Sequence, residues 1–204
     1  LLSIPIYGCT EKVDSYDVYN DVLLQVIGTE RYHVPFVTIF DYDSITQKKI
    51  WNDFIEAKNR PVNNRRLFLA IYDTLDFHAW DLEKVRDLAN KVSSKDSILI
   101  YKLIRANSKK ELVDLKRMPV IGRYELYQAT HGKELGLRDF FKDNKNQYSE
   151  VGMIRLSNVV FGENKETGCF FYEIIDPGGH GHPSKIIFVE KTFNKWTIAR
   201  EDYF

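Results

Sequence analysis

Apolar residues recur at helical spacing between Ser15 and Ile27, where Val18, Tyr19, Val22, Leu23, Val26 and Ile27 share one face. Asp14 or Ser15 is placed to cap this helix and Gly28 to stop it. His33 to Phe40 is a β-like run that Pro35 confines to an edge or a strand start. Ser44 then caps a predicted helix to about Ala57, with Ile50, Trp51, Phe54 and Ile55 as its face. Leu67 to Tyr72 reads as a strand of branched and aromatic residues. Asp81 to Val92 mixes charge with Leu82, Val85, Leu88 and Ala89, as a half-exposed helix does. Ser97 to Ile104 fits strand or helix. Ser108 to Lys116 reads as a short helix with Glu111 at the capping-box position, ended by Pro119. Ile121 to Ala129 reads as a strand, and Leu137 to Lys142 as a further helical turn or two.

Near Lys145 the texture changes, and after it strands dominate. Met153 to Phe161, Cys169 to Ile175, Ser184 to Glu190 and Trp196 to Ala199 are four apolar runs. They are cut by the turn clusters Gly162 to Gly168 and Asp176 to Pro183 and by the joint Phe193-Asn194-Lys195. Phe170, Tyr172 and Ile174 fall on one face of the second run, and Phe171, Glu173 and Ile175 on the other. Short connections favour an antiparallel meander, since parallel pairing requires a long crossover. The expected fold is α+β: helices and short strands in the N-terminal two-thirds, and a four-stranded antiparallel β-meander at the C-terminus. Residues 10–204 form a single domain in this reading, with 151–204 as the meander module.

Composition narrows the class. The 204 residues are 44% hydrophobic and 28% charged, as in a globular chain able to bury a core. The 29 Lys and Arg balance the 29 Asp and Glu, which argues against a nucleic-acid partner, because phosphate recognition leaves a basic excess. The basic cluster from Asn59 to Arg66 reads as a solvated loop. Two cysteines, Cys9 and Cys169, do not make a disulfide framework. No run reaches the roughly 18 apolar residues of a membrane helix.

The chain begins Leu-Leu-Ser-Ile-Pro-Ile-Tyr-Gly-Cys-Thr, an apolar run stopping sharply at a small residue and a cysteine. This resembles the end of a bacterial lipoprotein signal peptide, with Cys9 as the acylated residue and Gly8 before it. Residues 1–9 would then be a residual signal with its lipidation cysteine. The alternative is an N-terminal strand from Leu2 to Tyr7, or a disordered N-terminus.

A second resemblance rests on Leu156-Ser157 with Val159 and Phe161, then Gly168 before an aromatic strand and a glycine turn. Phe188-Val189-Glu190-Lys191 and Trp196-Thr197-Ile198 complete it. The pattern is similar to the C-terminal part of uncharacterised bacterial lipoproteins, and covers about the last quarter of the chain. The resemblance implies a shared sheet and a shared location, lipid-anchored in the cell envelope and facing the periplasm or exterior. It implies no activity. His180, His182 and Pro183 stand where that group has Gly and small residues.

Candidate chemistry is sparse. His180 and His182, separated by one Gly, can converge on zinc or copper, with Asp176 supplying an oxygen. A closed zinc site needs a further ligand, His33, His78, His131 or a distant carboxylate, and an exposed glycine turn explains the same residues. Asp73, Asp76 and His78 follow a strand, as do Asp41 and Asp43; there, turn and cap roles compete with acid–base ones. Cys169, inside a predicted strand, fits a buried inert thiol. No nucleophile elbow, phosphate loop or metalloprotease motif is present. The sequence therefore points to a non-enzymatic binding or structural domain of the cell envelope, its protein or small-molecule partner open. The alternative is a metal-binding protein or metal-dependent hydrolase built on the His180/His182 loop, or a cytoplasmic location if Cys9 is not acylated.

Overall fold

The computed structural model describes residues 13–27, 45, 48–49, 66–77, 82–106, 111–119, 124–129, 148–175 and 184–204. The predicted elements His33 to Phe40 and Leu137 to Lys142, and all but Ile45, Lys48 and Lys49 of the helix after Ser44, lie outside them. The helices are α1 (Ser15–Ile27), α2 (Leu82–Lys91) and α3 (Ser94–Ala106). The strands are β1 (Arg66–Tyr72), β2 (Thr74–Leu75), β3 (Glu111–Leu112), β4 (Tyr124–Ala129), β5 (Tyr148–Leu156) and β6 (Val160–Phe161). Then follow β7 (Thr167–Ile175), β8 (Lys185–Thr192) and β9 (Lys195–Tyr203).

Helix α1 forms because its apolar stripe is unbroken and its first turn is capped from within. Asp14 Oδ1 accepts from the backbone N–H of Tyr16 at 2.9 Å and of Asp17 at 3.4 Å. Asp17 Oδ2 returns the bond by accepting from Asp14 N–H at 2.8 Å, so the orphan donors of the helix start are satisfied reciprocally. Burial alone would raise the Asp14 carboxyl. The hydrogen bonds from Arg117 and the Tyr16 backbone outweigh it and hold the group below its ordinary value. With Asp14 as the cap, Ser15 is free to serve elsewhere.

The expected α+β arrangement with a separate four-stranded meander is corrected by the strand order. One mixed sheet of seven strands runs β4-β1-β5-β7-β8-β9, with β6 also on β7. Strand β1 lies between β4 and β5, parallel to both, while β5, β7, β8 and β9 pair antiparallel in succession. The described N-terminal two-thirds is thus not mainly helical; β1 and β4 belong to the same sheet as the C-terminal strands. The physical reason is that parallel partners are joined by long crossovers, so their pairing leaves no local turn signal in the sequence. Strand β5 also starts at Tyr148, and its polar opening concealed the length that pairs with β1. One further expectation fails: of Ser108 to Lys116, Glu111–Leu112 pairs with β2, and only Leu115–Arg117 is helical, as a single 3-10 turn capped by Asp114.

Both faces of the sheet are covered. Helix α1 packs Val18, Tyr19, Val22 and Leu23 against Leu69, Ile71, Ile154, Leu156, Phe170, Tyr172, Ile187 and Trp196. On the other face, Val85 and Ala89 of α2 and Leu99, Ile100 and Leu103 of α3 close over Phe77, Cys169, Phe171, Ile186 and Phe188. The segment Ser97 to Ile104, ambiguous by periodicity, is therefore helix, its start capped by Ser93 Oγ accepting from Asp96 N–H at 3.2 Å. Every residue of β7 from Gly168 to Ile174 is buried, which is why its sequence reads as a nearly continuous apolar run.

Two glycines answer specific demands. At Gly152, φ is 137°, and the β1–β5 register shifts beside it, between Phe68 and Leu69, leaving Val151 without an opposite partner. At Gly168, a Cβ would lie 2.9 Å from the Val160 carbonyl oxygen and 3.1 Å from Val159 Cγ1. Gly168→Ala should therefore destabilise the protein by about 1–3 kcal/mol, measured by chemical denaturation. At the β8–β9 turn the demand is not met: Phe193 and Asn194 have φ of 49° and 63°, the pair of positive angles a tight hairpin needs, and Phe is poorly suited to it. Phe193→Asn should stabilise the fold by about 1 kcal/mol in the same assay.

Candidate functional site

The sequence candidates divide by position. Cys9, Asp41, Asp43, His33, His78, His131, Asp176, His180 and His182 lie outside the described residues. Cys169 is fully buried as a free thiol, and burial pushes its pKa up, so it is unsuited to nucleophilic work. The backbone of Asp73 closes the sheet end: its N–H donates to Ala129 O at 3.0 Å, and its carbonyl accepts from Val113 N–H at 2.8 Å. Asp76 N–H donates to Leu156 O at 3.0 Å. No group of three or more His, Cys, Asp or Glu converges on a metal-sized site among the described residues.

What the fold does assemble is a polar row across the sheet interior. The register sets Arg155 of β5 opposite Glu173 of β7. Tyr72 follows the pair Ile71↔Ile154, and Ser184 precedes the pair Tyr172↔Lys185, so both extend the same row. Arg155 Nη1 donates to Glu173 Oε2 at 3.3 Å, and Nη2 donates to Tyr72 Oη at 2.6 Å. The guanidinium carbon also sits 4.1 Å from the Tyr72 ring centroid. Ser184 Oγ donates to Glu173 Oε1 at 3.4 Å. Arg155, Glu173 and Tyr72 are 7%, 4% and 5% exposed.

This row lies where two apolar clusters meet. Cys169 and Phe171 precede Glu173 on its face, within the cluster under α2 and α3. Ala70, Tyr72, Ala129 and Met153 form the cluster on the other side. Charges in such a setting persist only when paired, because the desolvation cost is met by mutual attraction and hydrogen bonds. The row is thus a satisfied strut linking the parallel and antiparallel halves. Sequence reasoning passed over both ions, though a signal existed: Arg155 is the sole charge between Gly152 and Gly162, and Glu173 the sole charge between Gly168 and Ile175.

A second polar cluster forms where the predicted strand Met153 to Phe161 breaks at Ser157-Asn158-Val159. Ser157 Oγ accepts from Phe171 N–H at 2.9 Å and donates to Asn158 O at 3.0 Å. Tyr19 Oη donates to Ser157 O, and Val159 N–H donates to Ser15 Oγ at 2.8 Å. Tyr19 is fully buried, and that burial pushes its phenol well above its ordinary pKa. Beside this joint, Leu75, Asp76, Phe77, Leu103, Ala106, Ser157 and Asn158 line a shallow cleft of about 200 Å³ including its open mouth. Its interior has room for about one water molecule.

No protein family, no curated protein and no solved structure matches the chain. The geometry of the row makes its own prediction. Arg155→Ala or Glu173→Ala should each cost about 3–5 kcal/mol, whereas the double variant Arg155→Met/Glu173→Leu should recover most of that loss. Denaturation midpoints of the three variants check it.

Proposed function

We propose that this protein is a non-catalytic binding or structural domain attached to the bacterial cell envelope through acylated Cys9. The observation that carries the non-catalytic part is the Tyr72-Arg155-Glu173-Ser184 row: the most deeply buried ions described are engaged with one another. A general acid or nucleophile must face its substrate, and these groups face their neighbours. The cleft at Asp76 admits too little to hold a small-molecule substrate. The envelope part is supported by the junction Gly8-Cys9-Thr10, where an apolar run gives way to polar chain, and by the resemblance of the C-terminal strands to envelope lipoproteins.

Binding, in this reading, uses loops and the exposed edge of the sheet rather than a cavity within it. Metabolic labelling with radioactive palmitate tests the attachment: wild type should incorporate label, and Cys9→Ala should not. Equal labelling would remove the anchor. Stoichiometric zinc in untagged protein, lost in the His180→Ala/His182→Ala variant, would replace this reading with the metal-dependent one.

A further inference from the structure

The strand order β4-β1-β5 contains a change of direction. From β1 the chain passes through α2 and α3 to β4 on one side, and from β4 it returns past β1 to β5 on the other. Strand β1 is parallel to both neighbours, so the carboxyl ends of β1 and β5 lie side by side where the two connections part. In parallel sheets such a parting leaves a crevice outside the strand ends, and ligands bind there. The cleft at Asp76 occupies that place. Asp76 and Phe77 follow β1, and Ser157 and Asn158 directly follow β5. Asp76 N–H donates to Leu156 O at 3.0 Å and ties the two strand ends together.

The lining selects the sign and size of an occupant. Asp76 is its one charged residue, half-buried like Asn158, while Phe77 and Leu103 are buried apolar walls. Ala106, the last residue of α3, also lines the cleft. A helix ends in carbonyls without intrahelical partners and in the negative pole of its dipole, so carboxylate and helix end both favour a cation. Arg105, the basic residue of that last turn, is exposed and lies outside the lining. A calcium ion takes about six to eight oxygens. Here the carbonyls of Leu156, Ser157 and Asn158 each already accept a hydrogen bond, from Asp76 N–H, Tyr19 Oη and Ser157 Oγ. An ammonium head asks for fewer acceptors: Asp76, the last turn of α3, and Asn158 Oδ1, which accepts a long bond from Ser15 Oγ at 3.3 Å. It also matches an interior with room for about one water molecule, and the apolar walls suit the methylenes behind it.

We propose that the cleft between the carboxyl ends of β1 and β5 binds the tip of a primary alkylammonium chain, held by Asp76, Asn158 and the end of α3. A cleft too small to enclose a substrate takes the end of one. The site goes beyond the reading above and holds whether or not Cys9 is acylated.

NMR titration of the isotope-labelled full chain with butylammonium chloride, at constant ionic strength, tests the site. The Asn158 side-chain amide and the backbone amides of Asp76 and Phe77 should move along saturable curves. Sodium butyrate, an anion, and tetramethylammonium chloride, bulkier and without N–H donors, should leave them in place. Asp76→Asn should weaken butylammonium binding about tenfold or more, the loss of one charge-assisted contact. Ala106→Leu, which adds bulk to the lining and keeps the charge, should weaken it too, and carries the test if Asp76→Asn fails to fold. Acetyl-lysine methylamide separates two sources of the same chemistry: binding as tight as butylammonium or tighter supports the proposal with a lysyl side chain, and weaker binding supports it with a free amine. Three results overturn it: no saturable shift, equal responses in wild type and Asp76→Asn, or calcium chloride moving the same amides at lower concentration. The outcome of palmitate labelling changes none of these readouts.

Discussion

A strand buried on both faces sets the terms for the rest of this molecule. Strand β7 sends Phe170, Tyr172 and Ile174 to one side and Cys169, Phe171 and Glu173 to the other. Each face needs its own cover, and α1 supplies one while α2 and α3 supply the other. Each large side chain so buried contributes about 1.5–3 kcal/mol, which makes the two helical layers and the central strand mutually dependent. Tyr19 of α1 meets Phe170 edge to face at 5.5 Å, and on the other face Phe77, beneath α2 and α3, meets Phe171 at 5.3 Å.

Polar side chains do the positioning that apolar packing leaves loose. Hydrophobic contact is non-directional, so α1 could slide along the sheet without a fixed point. Ser15 and Tyr19 remove that freedom by bonding to the Ser157–Val159 joint, where the strand has released backbone groups. The joint is held in turn by Ser157 bonding to both the N–H and the carbonyl of Phe171. At the far edge, β9 carries Lys195, Arg200, Glu201 and Asp202, and a register shift beside Val189 bends it. Such an edge resists unplanned pairing with another strand.

The sequence made local features legible and long-range ones obscure. Helix α1 could be read because stripe, cap and stop agree within a dozen or so residues. Ser97 to Ile104 stayed ambiguous because its buried residues Leu99, Ile100 and Leu103 are interrupted by the exposed Tyr101 and preceded by the exposed Ile98, which blurs the period. Ser108 to Lys116 misled because Glu111 fits a capping box while its actual partner, Leu75, lies far back in the chain. The parallel half of the sheet was hidden for the same reason. Of the candidate site, the two strut ions were visible as lone charges in apolar runs, but their convergence depends on a register that only the folded sheet supplies.

The Arg155–Glu173 pair also bears on how the sheet finds its alignment. Sliding β5 by one residue against β7 would turn Arg155 toward the oily underside of α1. Sliding by two would leave both ions facing the correct way but beyond reach of each other, each alone in a dry interior. Apolar residues such as Met153, Ile154 and Leu156 would tolerate the second shift far better. The pair therefore acts as a proofreading element: it adds little to the right arrangement and makes the nearest wrong ones expensive.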